Sequence, residues 1–268
     1  MQYDHNNKAG NAGDIFKHTA LIAALNALPN SSQTFRFVDL FAGYAVNPIM
    51  AGNQWQQGIG RIHRQCHNTD NRAIRCYTEW YLSRPTLVGS VYPGSSLIAQ
   101  DVMSARGQEI SLTLYDISAA PIENLRRVYE GCGHAIHHRA ADLSDSGVQT
   151  ANFLFIDPPG LQSDSQPGYP TLEELLAFTV RSADAAAFFW LPISKTDNAH
   201  VEMDRLRKHG FSVNEVVWGN QYATGSTIGC VIAYRAPSEG VQQVQDTLDE
   251  MFTLTGWETE RGASVAHL

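Results

Sequence analysis

The sequence lacks a long apolar segment. Its richest apolar stretch, Ala183–Ile193, contains Asp184 and is shorter than the roughly 18 residues that a membrane-spanning helix needs. Residues 1–8 carry no apolar core of the kind found in secretory signal peptides. These absences argue against an integral membrane protein and against a secreted one. We therefore expect a cytoplasmic protein without a membrane partner.

Cysteine is also scarce, because the 268 residues contain only four, at Cys66, Cys76, Cys132 and Cys230. Small secreted domains need a dense disulfide framework, and four cysteines in a chain this long do not supply one. We expect all four to be reduced. The neighbouring histidines His63 and His67 do not complete a recognised zinc spacing with Cys66 and Cys76, so no metal is expected.

Basic residues are too few for a surface that binds phosphate backbones over its whole extent. Lys and Arg total 19 against 27 Asp and Glu, which gives a net charge of −8. A local basic patch is still compatible with this balance. Arg61, Arg64, Arg72 and Arg75 would share one face if a single helix ran through them, but residues 67–71 favour an interruption. An RNA-contacting stripe and an ordinary solvated face therefore both stay open.

What the sequence does contain is an alternation of strands and helices. This pattern predicts an α/β fold with a mostly parallel, seven-stranded sheet between helix layers. One domain spanning 1–268 is expected, interrupted by a helical insertion at about 45–92, and the last two strands should form an antiparallel pair at one edge. Strands are predicted at 35–41, 111–115, 134–139, 153–156, 186–191, 211–218 and 229–234, and helices at 15–25, 97–103, 121–129, 172–184 and 197–209, with weaker helical runs at 55–65 and 72–82.

Three acidic residues lie near the ends of the first three main strands: Asp39 lies in the first strand before Gly43, Asp116 ends the second and Asp142 follows the third. In a doubly wound sheet, ligands bind at the carboxyl ends of the strands. An acid after the second strand suits two ribose hydroxyls, and a polar residue after the third suits an adenine edge. Solvation or helix capping is the alternative for each acid. The first turn has a single glycine, Gly43, so S-adenosylmethionine, which lacks phosphates, fits better than a dinucleotide.

A second pattern is the apolar strand that ends in Asp157-Pro158-Pro159. Two prolines remove two N–H donors, so the backbone there presents carbonyls beside a carboxylate. Such a group of acceptors can bind both hydrogens of an amino group. The alternative is a proline turn with an aspartate cap.

Several of these motifs together resemble the RlmJ family of 23S rRNA adenine N6-methyltransferases, in order along almost the whole chain. The resemblance implies a Rossmann-like class I fold that binds S-adenosylmethionine, with a small helical subdomain after the first strand. The motifs are Tyr3-Asp4-His5, Ala9–His18, Asp39 with Ala42-Gly43, Tyr92-Pro93-Gly94-Ser95, Asp116, Asp142 and Ile156-Asp157-Pro158-Pro159.

The resemblance also implies roles for individual residues. Asp157 and the Pro158 carbonyl would engage the acceptor amine. The cofactor would be bound by Lys17, His18, Asp39, Phe41, Gly43, Ser95, Asp116, Asp142 and Asp157. The substrate would be bound by Tyr3, His5, Asn11, Tyr44, Gly160 and Trp190. An exposed ion-pair face with Asp14 is the alternative for Lys17 and His18, and a helix cap is the alternative for Ser95.

The sequence departs from the family at the residue after Asp-Pro-Pro, where Gly160 replaces an aromatic residue that stacks on the base. Stacking contributes roughly 1–3 kcal/mol, so another ring would have to replace it, the candidates being Tyr44, Tyr169, Trp190 and Tyr222. Phe41 also stands where the family has a polar residue. The resemblance implies adenine in 23S rRNA as the acceptor and RNA as the partner, and the two departures favour considering other acceptors. One alternative is a methyltransferase that acts on a small-molecule amine or nucleoside, and another is an RNA-binding protein without methyltransferase activity. The protein is expected to be a monomer or a homodimer.

Overall fold

The computed structural model describes residues 8–49, 54–62, 69–82, 90–159, 169–182, 184–196, 199–219, 227–236, 238–257 and 262–268. Its strands are β1 Phe35–Asp39, β2 Val46–Pro48, β3 Val91–Pro93, β4 Ile110–Asp116, β5 Ala135–His138, β6 Phe153–Ile156, β7 Ala186–Ser194, β8 Ser212–Val217, β9 Thr227–Arg235 and β10 Ser264–His267. Its helices are α1 Ala12–Ala27, α2 Ile59–Ile62, α3 Arg72–Leu82, α4 Ser95–Ala105, α5 Ala119–Val128, α6 Ser146–Gln149, α7 Leu172–Arg181, α8 His200–Lys208 and α9 Ser238–Thr255.

The main sheet has eight strands in the order β10-β8-β9-β7-β6-β1-β4-β5. The five strands from β5 to β7 are parallel, and their order is that of a doubly wound fold, with the reversal at β1. This confirms the predicted α/β class. The expected antiparallel pairing of the last two predicted strands is confirmed by β8 and β9, but their expected position at the edge is wrong, because β10 pairs with β8 and forms the edge. The expected number of seven strands is therefore one too few, and the sheet is mixed, because β9 is also antiparallel to β7. The prediction omitted β10, which has only four residues.

The sheet separates two apolar clusters, and alternate residues of β1 enter each one. Phe37 packs into the cluster shared with α1, α4 and α9, whereas Val38 packs into the cluster shared with α7 and α8. All four residues of β6 are buried, as expected for a strand covered by helices on both faces. Burial on both sides fixes the positions of the strand ends, where Asp39, Asp116 and Asp157 lie.

Helix α1 lies inside the helical layer, with α3, α4 and α9 packed against it. Its first residues are capped by Asn11, whose Oδ1 accepts a hydrogen bond from the Asp14 backbone at 3.0 Å. Because helices surround α1, Asp14, Lys17 and His18 are buried. The alternative of an exposed ion-pair face at these three residues is therefore wrong.

The segment between β1 and α4 contains more than helices. The strands β2 and β3 form a separate antiparallel pair. Arg61 lies in α2, and its guanidinium lies 5.5 Å from the Trp257 ring, whereas Arg72 and Arg75 lie on a separate helix. A single helix through these arginines is therefore wrong, and Arg64 lies outside the described residues. The proposed domain boundaries at about 45 and 92 stay predictions.

Within the described segments, every helix is too short or too polar to cross a membrane.

Candidate active site

A cavity of about 350 Å³ opens at the carboxyl ends of β1, β4 and β6, beside the first turns of α1. Its volume lies within the range of small-molecule sites. Of the residues predicted to bind cofactor or substrate, the following line it: Asn11, Lys17, His18, Phe41, Gly43, Tyr44, Ser95, Asp116, Asp157, Pro158 and Trp190. The fold thus brings residues that are far apart in the sequence to the wall of one cavity.

Two predicted residues that the structure describes, Asp39 and Asp142, do not line the cavity. Asp39 is completely buried behind Ser95. Asp142 is exposed, and its Oδ1 accepts hydrogen bonds from the backbone and hydroxyl of Ser144, which hold the pKa of Asp142 below its usual value. Tyr3, His5 and Gly160 lie outside the described residues, as does Tyr222.

The Lys17 ammonium joins α1 to the end of β6. Its Nζ donates to Asp157 Oδ2 at 2.9 Å and lies 3.0 Å from Asp14 Oδ1. Burial alone would lower the pKa of Lys17, but the two carboxylates outweigh this effect and raise it above its ordinary value. A charged lysine therefore fixes Asp157 through one oxygen. The other oxygen, Oδ1, has no hydrogen-bond partner among the described residues and is left for a ligand.

Asp39 and Ser95 form a second buried contact beneath the cavity. The Ser95 hydroxyl donates to Asp39 Oδ2 at 2.5 Å, and the Phe41 backbone donates to Oδ1 at 3.0 Å. Burial raises the pKa of Asp39 to about 7 despite these hydrogen bonds. Ser95 is the first residue of α4, and its hydroxyl is engaged by Asp39. The hydroxyl therefore ties α4 to β1, and the helix-cap alternative is wrong, since Gly94 occupies the N-cap position. The expected contact of Ser95 with the cofactor stays a prediction.

A buried hydrogen-bonded chain continues from α1 into the segment after β1. His18 Nδ1 lies 2.6 Å from the Tyr92 hydroxyl, which lies 2.9 Å from the Tyr77 hydroxyl. His18 and Tyr92 both line the cavity, whereas Tyr77 lies behind them. Burial raises the pKa of Tyr77 well above its usual value. The three side chains fix β3 against α1.

Asp116 holds the turn that follows β1. Its Oδ2 accepts a hydrogen bond from the Gly43 backbone at 3.1 Å, and its Oδ1 accepts one from the Ser118 backbone at 2.7 Å. Gly43 has a φ of 58°, and a Cβ added there would meet nothing within 4 Å. The turn is therefore open on the cavity side, and the half-buried Asp116 carboxylate lies beside that open space.

The aromatic residues of the cavity divide between its two ends. Tyr169 lies with its ring centroid 5.1 Å from that of Phe41, and burial together with the charge of Asp116 raises the pKa of Tyr169 to about 12. Trp190 lies at the other end, with Lys17 Nζ 5.2 Å from its ring centroid. Of the four aromatic candidates for base stacking, Trp190 therefore lies beside the Lys17–Asp157 pair, whereas Tyr169 lies near Asp116.

Sequence reasoning missed other lining residues, among them Lys8, Asn47, Ile117 and Thr227. Asn47 is 3% exposed and lies on β2 directly opposite Tyr92 on β3. The Tyr92-Pro93-Gly94-Ser95 motif contains the residue that faces Asn47, but no strand was predicted there. Nothing in the residues around Asn47 indicates which segment pairs with them, so its position depends on the fold.

The site thus has an acidic group at each end of one cavity. Asp116 can accept hydrogen bonds from hydroxyl groups, and Asp157 can accept one from an amino group. Since β1 lies between β4 and β6 in the sheet, a ligand that reaches both acids crosses the turn at Gly43. The arrangement suits two ligand groups held next to each other in a fixed orientation.

No family model matches the sequence, and no curated protein sequence matches it. Among solved structures, the chain is similar to a Legionella pneumophila protein assigned to the family DUF519, with a TM-score of 0.76 and 15% identity over 97% of both chains. A Listeria monocytogenes protein proposed to be a class I S-adenosylmethionine-dependent methyltransferase has a TM-score of 0.45 and 8% identity, over 89% of this chain and 64% of that one. A Leishmania major S-adenosylmethionine-dependent methyltransferase of the DUF858 family has a TM-score of 0.36 and 11% identity, over 83% and 73%. The first similarity shows that the fold is shared along nearly the whole chain.

Proposed function

We propose that the protein is an S-adenosylmethionine-dependent methyltransferase that acts on nitrogen. One observation carries the proposal: Asp116 and Asp157 line a single cavity, on opposite sides of the turn after β1. The resemblance of the motifs to the RlmJ family supports the same chemistry. A ligand with ribose hydroxyls at one end and an amine beside the other uses both acids.

The residues of the cavity fit the cofactor. Asp116 offers a carboxylate to ribose hydroxyls, and the open space over Gly43 admits a ligand close to the backbone. The half-buried rings of Phe41 and Tyr169 supply apolar surface beside Asp116. When bound, S-adenosylmethionine supplies an electrophilic methyl group on a sulfonium.

Asp157 and Pro158 hold the acceptor amine. The Asp157 carboxylate and the Pro158 carbonyl accept its two N–H groups and orient the nitrogen lone pair toward the methyl group. Lys17 keeps Asp157 in place through Oδ2, at 2.9 Å. Catalysis then comes from orientation and fixed hydrogen-bond acceptors, with no covalent enzyme intermediate.

Calorimetry with S-adenosylhomocysteine tests the cofactor. We expect Asp116→Ala to weaken binding at least tenfold, because the variant cannot accept the ribose hydrogen bonds. Asp204→Ala, on the exposed side of α8, is the matched control and should bind as the parent does. Equal affinities for the parent and Asp116→Ala would exclude the ribose contact, and a parent that does not bind the ligand would exclude the proposed function.

A turnover assay with labelled methyl donor tests the chemistry. Asp157→Ala should abolish transfer while S-adenosylhomocysteine affinity changes by less than about threefold. A fully active Asp157→Ala variant would eliminate the amine contact.

The acceptor that the resemblance implies is the exocyclic amine of adenine in 23S rRNA. A second candidate, a small-molecule amine or nucleoside, is favoured by Gly160 in place of the stacking aromatic residue and by the net charge of −8. The same labelled donor, offered with ribosomal RNA fragments, free nucleosides and amines in separate reactions, distinguishes the two.

A further inference from the structure

Trp190 is a large aromatic residue beside Asp157. The parallel strands β6 and β7 pair Ile156 with Phe189, so the residues that follow them, Asp157 and Trp190, lie next to each other on one face of the sheet. Neighbouring strands are about 4.8 Å apart. The Lys17 ammonium lies between the two side chains, with its Nζ 2.9 Å from Asp157 Oδ2 and 5.2 Å from the Trp190 ring centroid. A group bound at Asp157 therefore has this ring as its neighbour.

The Trp190 ring lies at the boundary between the core and the cavity. Alternate residues of a strand share one face of a sheet. On this face of β7, Phe188 is completely buried, whereas Trp190 and Pro192 are half-buried and line the cavity. The Trp190 side chain packs against the apolar cluster that contains Phe188. The core thus holds the ring, while its exposed part is left to a ligand in the cavity.

Helix α1 approaches the same ring through a glycine. A Cβ added at Gly13 would lie 3.0 Å from Trp190 Cζ2, which is closer than side chains normally pack. Gly13 lies in the first turn of α1 and also lines the cavity. Contacts with the core, with Gly13 and with Lys17 therefore hold the Trp190 ring in place before any ligand binds.

The other rings in the described part of the cavity wall are less suited to an acceptor at Asp157. Trp190 alone among them is both half-buried and adjacent to that residue. The rest are completely buried, as are Tyr92 and Trp218, or lie on or against the turn that Asp116 holds, as do Phe41, Tyr44 and Tyr169.

The acceptor amine also has to present a free lone pair at Asp157. An aliphatic amine is protonated at neutral pH, because its pKa is about 10, and carboxylates, whose pKa is near 4, are too weak to take up that proton. An amino group on an aromatic ring is already neutral at this pH. A carboxylate beside a flat aromatic side chain therefore favours an amine that is attached to a ring.

We propose that Trp190 stacks on the ring that carries the acceptor amine and thereby determines which acceptors fit. This inference rests on the proposed function and assigns it a specificity-determining residue. Stacking uses the π-face of the acceptor and not its hydrogen-bonding groups. Trp190 therefore selects an aromatic acceptor, whereas Asp157 and the Pro158 carbonyl select its amino group.

Transfer from labelled S-adenosylmethionine to four acceptors tests the proposal: a 23S ribosomal RNA fragment, adenosine, cytidine and cyclohexylamine. The parent should methylate at least one of the first three and not cyclohexylamine. For that aromatic acceptor, Trp190→Leu should raise KM at least about tenfold and leave kcat within about threefold, because stacking holds the acceptor equally in the ground and transition states. Trp190→Phe, which keeps a ring, should recover KM to within about threefold of the parent.

The outcomes separate this inference from the proposed function. A parent that does not bind S-adenosylhomocysteine refutes the function itself. A parent that binds it but methylates only cyclohexylamine, or none of the four acceptors, overturns the aromatic acceptor alone. An unchanged KM in Trp190→Leu, or a KM that Trp190→Phe does not recover, overturns the stacking contact.

A fluorescence measurement keeps the test decisive if Trp190→Leu does not fold. With S-adenosylhomocysteine at saturation, adding the aromatic acceptor to the parent should quench tryptophan emission, because a stacked ring quenches the indole that it covers. Trp190→Phe should lose at least half of this change. Trp55→Phe is the matched control, because Trp55 is half-buried and outside the cavity wall, and it should keep the full change. Equal changes in all three proteins would show that the acceptor does not stack on Trp190.

Discussion

At the scale of single residues, Lys17 compensates the charges of two carboxylates, the buried Asp14 and the partly buried Asp157. Its ammonium contacts Asp14 and Asp157 at 3.0 and 2.9 Å, and the side chain of Lys17 is 7% exposed. Because the pKa of Lys17 is raised in the folded state, its stabilising charge is present throughout the neutral range and is lost only as the pH rises above its ordinary value. Lys17 therefore acts as a constant counter-ion under all ordinary assay conditions.

The variant Lys17→Met keeps much of the side-chain volume and removes the charge. We expect the free energy of unfolding to fall by about 3 kcal/mol at pH 8, since a buried pair that loses one partner leaves uncompensated charge. Urea unfolding measures this, with exposed Lys195→Met as the control. A loss no larger than that of the control would refute the role of the two ion pairs.

Asp39 should make the stability of the protein depend on pH. Burial raises the pKa of Asp39 from 3.8 to about 7, so the folded state binds its proton more tightly than the unfolded state does. The stabilisation from this proton is complete below about pH 4 and is lost as the pH rises through 7. Asp39→Asn keeps an acceptor for the Phe41 backbone and does not ionise.

We therefore expect Asp39→Asn to gain stability relative to the parent by about 2–3 kcal/mol between pH 5 and pH 8. Urea unfolding of both proteins at the two pH values provides the measurement. Asp142→Asn is the control, because Asp142 is exposed and its pKa is shifted in the opposite direction. A stability difference that does not change with pH would show that Asp39 has the same protonation state at pH 5 and pH 8.

At the scale of elements, the turn between β3 and α4 is packed against the loop after β1. Gly94 donates its N–H to the Ala45 carbonyl at 2.8 Å, and a Cβ at Gly94 would lie 2.0 Å from the Tyr44 carbonyl oxygen. Because the obstacle is backbone, the two segments would have to separate. Ser95, which follows Gly94, would then move away from Asp39.

Gly94→Ala should lower the free energy of unfolding by about 3 kcal/mol. Gly107→Ala is the matched control: its φ of 69° strains an alanine by about 1–2 kcal/mol, but a Cβ there meets nothing within 4 Å. Urea unfolding compares the two variants. If Gly94→Ala loses no more stability than Gly107→Ala, then the close approach to Tyr44 does not constrain the turn.

The elements that the sequence predicted well are those whose pattern is local. Helix α1 and strand β6 were confirmed, because continuous apolar residues next to capping or turn residues mark them without reference to the rest of the chain. The strands β2, β3 and β10 are three or four residues long, and their existence depends on pairing with distant segments. Helix α9 was missed, although Val244, Leu248 and Met251 recur at helical spacing and are buried.

The same distinction applies to the candidate site. The acids at the strand ends could be placed from the sequence, because parallel strands bring their carboxyl ends to one edge. That Ser95 donates to Asp39, 56 positions earlier, could not be inferred, since nothing local fixes that distance. For Asp142 the same rule predicted the wrong environment. The residue lies after β5 as the rule requires, but its carboxylate accepts a hydrogen bond from Ser144 and is exposed to solvent.

At the scale of the whole molecule, the charge balance bears on the acceptor. A net charge of −8 repels a polyanion at long range, so an RNA substrate must be held by a local group of cations. Arg72 and Arg75 on α3 are exposed, whereas Arg61 is committed to Trp257 and the Thr255 carbonyl. Binding of an RNA acceptor therefore depends on contacts between cations and phosphates, whereas binding of a small amine does not.

Salt should separate these two acceptors sharply. Each phosphate contact with single-stranded RNA contributes about −0.7 to the slope of log affinity against log salt, so about four contacts weaken binding roughly 50-fold between 50 and 200 mM salt. We expect such a fall in kcat/KM for a ribosomal RNA fragment, and less than about a twofold change for a free nucleoside or amine. S-adenosylhomocysteine affinity, measured by calorimetry over the same range, is the control, because this ligand carries no phosphate. A protein that methylates RNA equally well at both salt concentrations would refute phosphate-dependent binding, and one that methylates only the small amine would assign the cavity to the second acceptor.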